Sequence, residues 1–182
     1  MQHLYLIVGR SGSGKTYLAE KLADYFNAKI LESYTTRERR EPNETGHTFA
    51  TKNDYLKAKN LGIIVAETLF SDNYYWAEAR QIEESDLYVI DPKGVNDVLN
   101  AYKKGIIKKR PFVLKLNISR EEAKKRMITR NDHPDTVEKR LKHDDTIFSN
   151  FYYDASINAH ASKDAMVKQA IDIINIWENS NG

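Results

Sequence analysis

The chain contains no cysteine. That excludes disulfides, thiol nucleophiles and thiolate metal sites, and it fits a reducing compartment such as the cytoplasm. It also lacks a charge surplus: 28 Lys and Arg against 26 Asp and Glu leave a net charge of +2. So weak a basic field predicts no nucleic-acid partner. No apolar run approaches the roughly 18 residues of a membrane span, and no membrane partner is expected. The first residues enter an apolar run without the charged-then-apolar pattern of a secretory leader. There is no internal repeat and no low-complexity tract, and the five histidines (3, 47, 133, 143 and 160) do not cluster. A length of 182 residues with 41% hydrophobic content predicts one domain with its own core.

Glycine is scarce too, eight in all, yet Gly9, Gly12 and Gly14 stand close together. They belong to GRSGSGKT, Gly9 to Thr16, which fits the phosphate-loop pattern G-x-x-x-x-G-K-[ST]. Ahead of it the apolar run Leu4 to Val8 reads as a buried strand. Behind it Tyr17 to Phe26 reads as a helix, with Leu18, Leu22, Tyr25 and Phe26 at helical spacing. Strand, glycine turn and helix is the setting in which backbone N–H groups and the positive helix end collect around an anion. In that setting Ser11, Ser13 and the glycines line the phosphates, Lys15 neutralises the β- and γ-phosphates, and the Thr16 hydroxyl is placed for Mg²⁺.

Further along, Ala28 to Glu32 reads as a short strand. Ser33 to Phe49 is polar, carries Pro42, Asn43 and Gly46, and reads as a loop. Its Arg37 and Arg40 are either a solvated basic stretch or a pair of guanidinium groups for one phosphate. Asn53 can cap a helix through Asn60. Ile63 to Ala66 is a strand, and Phe70 to Trp76 an aromatic-rich turn, more often core than ligand contact. A short helix closes near Gln81 to Glu84. Leu87 onward is a strand ending at Asp91, either a helix cap or a carboxylate near Mg²⁺. A helix over Val95 to Lys104, a strand over Pro111 to Asn117, and a helix capped by Ser119 through Glu122 follow. Arg126 and Arg130 share a face of that helix. Pro134 ends it, and a further helix, Thr136 to about Phe148, carries Arg140. Residues 155 to 158 are a last strand and Lys163 to Asn179 a closing helix. Alternating strands and helices predict an α/β class with a mostly parallel sheet.

These motifs, taken in order, resemble the guanylate kinase family of nucleoside monophosphate kinases. GRSGSGKT resembles its phosphate loop. SYTTRERR resembles its S-x-x-x-R-x-x-R acceptor motif, which implies Ser33, Arg37 and Arg40 as acceptor contacts. FSDNYY resembles its F-S-G-N-x-Y turn and implies Tyr75. VIDPKGV resembles its D-x-x-G-V segment and implies Asp91, near the acceptor base or the metal. KKRMITR and EKRL resemble its lid and imply Arg126, Arg130 and Arg140 as mobile charges acting with Lys15, Arg37 and Arg40 in catalysis. SIN resembles a strand that would put Asn158 on the ATP side.

The resemblance implies a five-stranded parallel core (1–32, 85–125 and 151–182), an acceptor-binding insert (33–84) and a helical lid (126–150). It implies ATP and Mg²⁺ as cofactors and GMP or dGMP as acceptor, in a monomer or a homodimer. Four positions depart from the family. The guanine-reading glutamate counts to Ala66, with Glu67 next to it. The glycine and hydroxyl residue after the turn are Trp76 and Ala77. His47 and Thr48 stand before Phe49 where a tyrosine is expected. A different small-molecule kinase on the same core, or a binding module without catalysis, are the alternatives.

Overall fold

A computed structural model describes residues 1–39, 41–149 and 151–181. Strand β1 (Leu4–Gly9) is buried along its whole length, because both of its faces are covered. Leu4, Leu6 and Val8 point into one apolar cluster with Val95 and Val98 of helix α4 (Pro92–Lys103). Tyr5 and Ile7 point into the other. There they meet Leu18 and Leu22 of α1 (Lys15–Phe26), and Met166, Ala170 and Ile174 of α7 (Lys163–Asn181). A strand buried on both faces reads as a continuous apolar run, which is what Leu4 to Val8 is.

Two parallel neighbours flank β1: β6 (Leu87–Val89) and β7 (Pro111–Asn117). The sheet runs β6-β1-β7-β8, with β8 (Ala155–Asn158) parallel to β7. It therefore has four strands among the described residues, not the expected five. Ala28 to Glu32 supplies a single parallel bridge, Ile30 to Leu87. Two ladder bonds make it, Leu31 N–H to Leu87 O at 2.7 Å and Leu87 N–H to Lys29 O at 3.1 Å. The chain then leaves the edge for a second sheet.

That second sheet corrects the loop reading of Ser33 to Phe49. It holds β2 (Ser33–Thr35), β3 (His47–Phe49), β4 (Ile64–Phe70) and β5 (Asn73–Glu78), in the order β3-β2-β5-β4. The short strands β2 and β3 pair in parallel across a polar connection. The aromatic-rich turn is a hairpin: Ser71 and Asp72 both adopt positive φ, 48° and 63°, the conformation of a tight two-residue turn. The aromatics alternate around it. Tyr74 stacks on Tyr55 of helix α2 (Lys52–Asn60), Trp76 meets the same ring edge-on, and Tyr34 stacks on Trp76. That helix is capped by Thr51, in a reciprocal box with Asp54, and not by Asn53. Helix α3 (Ala79–Glu83) returns the chain to β6.

Helices α5 (Arg120–Thr129) and α6 (Pro134–Ile147) form a hairpin with its own small core of Met127, Val137 and Leu141. Ser119 caps α5 through the Glu122 N–H, as its spacing predicts. Among the described residues no helix is long and apolar enough to cross a membrane.

Trp76 is 1% exposed at the centre of the second sheet. Trp76→Ala is expected to lower the free energy of unfolding by about 3–5 kcal/mol, read from the urea transition. A change under about 1 kcal/mol would mean that the second sheet unfolds apart from the first.

Candidate active site

The carboxyl ends of β1, β6, β7 and β8 lie along one edge, where open α/β sheets place their ligands. At β1 the chain turns through Gly9 to Gly14. A Cβ on Gly9 would stand 2.9 Å from the Leu116 Cβ, so glycine there lets the loop lie against β7. Gly12 adopts a φ of +77°, and a Cβ there would meet the Ala123 carbonyl oxygen at 2.8 Å. Gly14 precedes α1 in a left-handed conformation with no side-chain cap. The first N–H groups of α1 therefore have no side-chain acceptor, as an anion site requires.

Lys15 folds back into this turn. Its Nζ donates to the Gly9 carbonyl at 2.6 Å and the Arg10 carbonyl at 3.0 Å. Burial lowers the ammonium pKa to about 8; the Asp144 carboxylate opposes that shift, and Arg130 and Arg140 reinforce it. Two loop amides hold internal acceptors: Ser11 N–H donates to Asp144 Oδ2 at 2.7 Å, and Ser13 N–H to the Arg10 carbonyl at 3.1 Å. The Ser13 side chain is fully buried and Thr16 is exposed on the first turn of α1.

From Lys15 a cavity of about 260 Å³ runs between the two sheets to Ser33, Thr68, Tyr75 and Asp91. The inner face of the second sheet lines it. Register decides which residues those are: Thr68 pairs with Tyr75 and Ala66 with Ala77, so all four point the same way. Glu67 and Trp76 pair on the opposite face. The Glu67 carboxylate accepts from Tyr55 Oη at 2.7 Å and Lys59 Nζ at 3.1 Å. Burial alone would raise its pKa, but those two donors hold it below the usual range. Glu67 still borders the central cavity, but its carboxylate is engaged by Tyr55 and Lys59. One step along a strand turns a side chain to the other face, and the outward side supplies a phenol and an ammonium.

Asp91 does both things its position suggested. Its Oδ1 accepts from the Gly94 N–H at 2.7 Å, capping α4, and its Oδ2 accepts from Thr68 Oγ1 at 2.7 Å on the cavity wall. Ser33 Oγ lies 3.1 Å from His47 Nδ1, and the His47 ring stands edge-on to Tyr75. The period-two pattern of β4, counted from Ala66, identifies Thr68; His47 is the residue that stands beside the position where a tyrosine is expected.

The arginines surround a second cavity of about 470 Å³, which Arg37, Tyr75, Lys139 and Arg140 share. Arg37 pairs with Glu44 at 2.7 and 3.2 Å. That hydrogen bond, against the opposing effect of burial, raises its pKa. Its buried Nε has no hydrogen-bond partner among the described residues. Arg40 lies outside the described residues. Asp132 joins the other two, accepting from Arg130 at 2.8 and 2.7 Å and from Arg140 at 2.9 Å. Arg126 donates to Glu122 and to the Ala159 carbonyl, on the far side of the glycine turn, where Arg126, Arg130 and Lys163 line a third cavity. Asn158 is exposed and its side chain is taken up locally, accepting from the His160 N–H at 3.0 Å. Phe70, at the tip of the hairpin, meets His143 of α6 with ring centroids 5.0 Å apart. The hairpin and α6 thus close over the cleft together.

No group of three or more acidic or histidine side chains that could hold a metal exists among the described residues.

No protein-family model matches this chain, and no curated protein sequence does. Its structure is similar to the crystal structure of guanylate kinase from Anaplasma phagocytophilum, with a TM-score of 0.63 at 20% identity. The match covers 98% of this chain and 86% of that one. The chain therefore has a guanylate kinase-like fold.

Lys15 supplies a pH test. Its ammonium is protonated below a pKa of about 8 and neutral above it, so attraction for phosphate is lost as pH rises through that value. ATP affinity is expected to fall up to about tenfold between pH 7 and 9, by titration calorimetry, with a flat profile in Lys15→Arg. A flat profile in the unaltered protein would place Lys15 outside the phosphate site.

Proposed function

We propose that this chain transfers a phosphoryl group from ATP to the phosphate of a nucleoside monophosphate. The observation that carries this is one continuous cleft. Lys15 and the glycine turn stand at one end, and Ser33, Thr68, Tyr75 and Asp91 at the other. Arginines come from the insert and the helical hairpin.

Phosphoryl transfer asks mainly for positioning and positive charge around the moving group. In this reading the glycine turn and Lys15 hold the donor phosphates. Arg37, Arg40 and Tyr75 hold the acceptor phosphate, and Arg126, Arg130 and Arg140 gather charge from the hairpin. Thr16 would hold Mg²⁺ with Asp91 nearby, and the ion would offset phosphate charge. A phosphate acceptor is largely ionised at neutral pH, with a second pKa near ~6, so the chain need supply no general base. Residues 126–150 act as the lid that excludes water.

The acceptor we propose is GMP or dGMP, supported by Ser33 and Asp91 on the cavity wall. A second reading, another acceptor on the same core, is favoured by Ala66 and Ala77. They present methyl groups on the face where a carboxylate and a hydroxyl would read guanine.

The test is ATP-dependent ADP release against GMP, dGMP, AMP, CMP, UMP and dTMP. Saturable turnover with GMP or dGMP alone supports the first reading. Turnover with another member supports the second; silence across the panel with ATP still binding overturns the first and favours an acceptor outside the panel or a binding module without catalysis. Lys15→Ala is expected to lower kcat at least about 100-fold. Arg37→Ala is expected to raise acceptor KM about tenfold or more, whereas Glu67→Ala should leave acceptor KM within about twofold. A tenfold rise in the Glu67 variant would return that residue to the acceptor site.

A further inference from the structure

The last turn of α6 carries two adjacent carboxylates, Asp144 and Asp145, and no basic residue. Negative charge there opposes the helix dipole. Asp144 adds the cost of burial, being 5% exposed, and a buried carboxylate persists only when it is well bonded. Both find their partners in the glycine turn. Asp144 Oδ2 accepts from the Ser11 N–H at 2.7 Å. Asp145 Oδ1 accepts from Arg10 Nη1 at 2.6 Å, and its Oδ2 from Arg120 Nε at 3.0 Å. Asp144 also shares the wall of the central cavity with Lys15.

The two contacts are not equivalent. Asp145 is exposed and bonded only to side chains, so it anchors α6 without touching a loop amide. Asp144 bonds to a backbone amide of the phosphate-loop motif and faces its lysine. A carboxylate oxygen there makes the same demand on the loop as a phosphoryl oxygen: a negative atom before an N–H and an ammonium. Two anions cannot share that place without strong repulsion.

We infer that Asp144 is a latch displaced by phosphate: it holds α6 on the loop by occupying the Ser11 amide, and a nucleotide phosphate must expel it. The inference rests on the reading of Gly9 to Thr16 as a phosphate site. Donor binding and release of α6 are then one exchange of anions. The latch lowers the affinity for ATP by competing with it, and holds the hairpin against the loop until ATP arrives.

Four proteins decide it: the unaltered chain, Asp144→Ala, Asp144→Asn and Asp145→Ala. The Asn variant keeps an oxygen for the Ser11 N–H and drops only the charge, so it remains informative should the Ala variant fold poorly. Hydrogen exchange is measured without nucleotide, and ATP affinity by calorimetry. Exchange at Ser11 is expected to quicken about tenfold or more in Asp144→Ala. ATP is expected to bind about tenfold tighter in both Asp144 variants, and within about threefold of the unaltered chain in Asp145→Ala. Unchanged ATP affinity in both Asp144 variants, with the unaltered chain binding ATP, overturns the latch and leaves the phosphate site standing. Weaker binding overturns it too and makes Asp144 a group that supports the nucleotide. Failure of every protein to bind ATP overturns the phosphate site itself, and the latch with it.

Discussion

Burial of β1 on both faces is the constraint on which the rest depends. Two helical layers can cover one strand only if it sits inside a parallel sheet, and crossover connections then bring the neighbouring strand ends to the same edge. That geometry sets Gly9 at the mouth of a cleft beside Asp91. It also sends α5 and α6 out from the end of β7 to stand over that mouth. The packing of Gly9 against Leu116 makes the arrangement intolerant there, since a methyl group has nowhere to go.

Electrostatics at this edge follow one theme. Arg37 is held by Glu44, Arg130 and Arg140 by Asp132, Arg10 by Asp145, and the Ser11 amide by Asp144. A concentration of positive charge suited to phosphate is costly to assemble by itself, and each internal acid offsets part of that cost. The edge is thus lined by basic groups and one loop amide, each held by an acid of the same chain.

The core elements were legible from residue pattern because each carries its own signal: Leu4 to Val8 as an unbroken apolar run, Pro111 to Leu114 likewise, and the capped helix from Ser119. The second sheet was much less so. Strands β2 and β3 are three residues each and polar, and their parallel pairing joins residues across a connection with loop composition. Nothing in a local window signals that pairing. The expected fifth core strand shrank to the Ile30 bridge because the chain departs for β2 within three residues. Lys15, Ser33, Glu67, Tyr75 and Asp91 line one cavity, in motif order, although the Glu67 carboxylate is bonded to Tyr55 and Lys59; Asp144 carried no signal beyond an acid near a helix end.

The sequence by itself determined the glycine turn between a buried strand and a helix, and the alternation of elements that makes a parallel sheet. These depend on backbone freedom and on apolar spacing, both local properties. Only the tertiary structure decided which way Glu67 faces, because a single step in strand register reverses a side chain. It alone decided that Tyr55 and Lys59 would receive that carboxylate, and that Asp144 would reach the Ser11 amide from 133 residues away. Which partner a polar side chain finds is set by packing across the whole chain, and spacing along a segment carries no record of it.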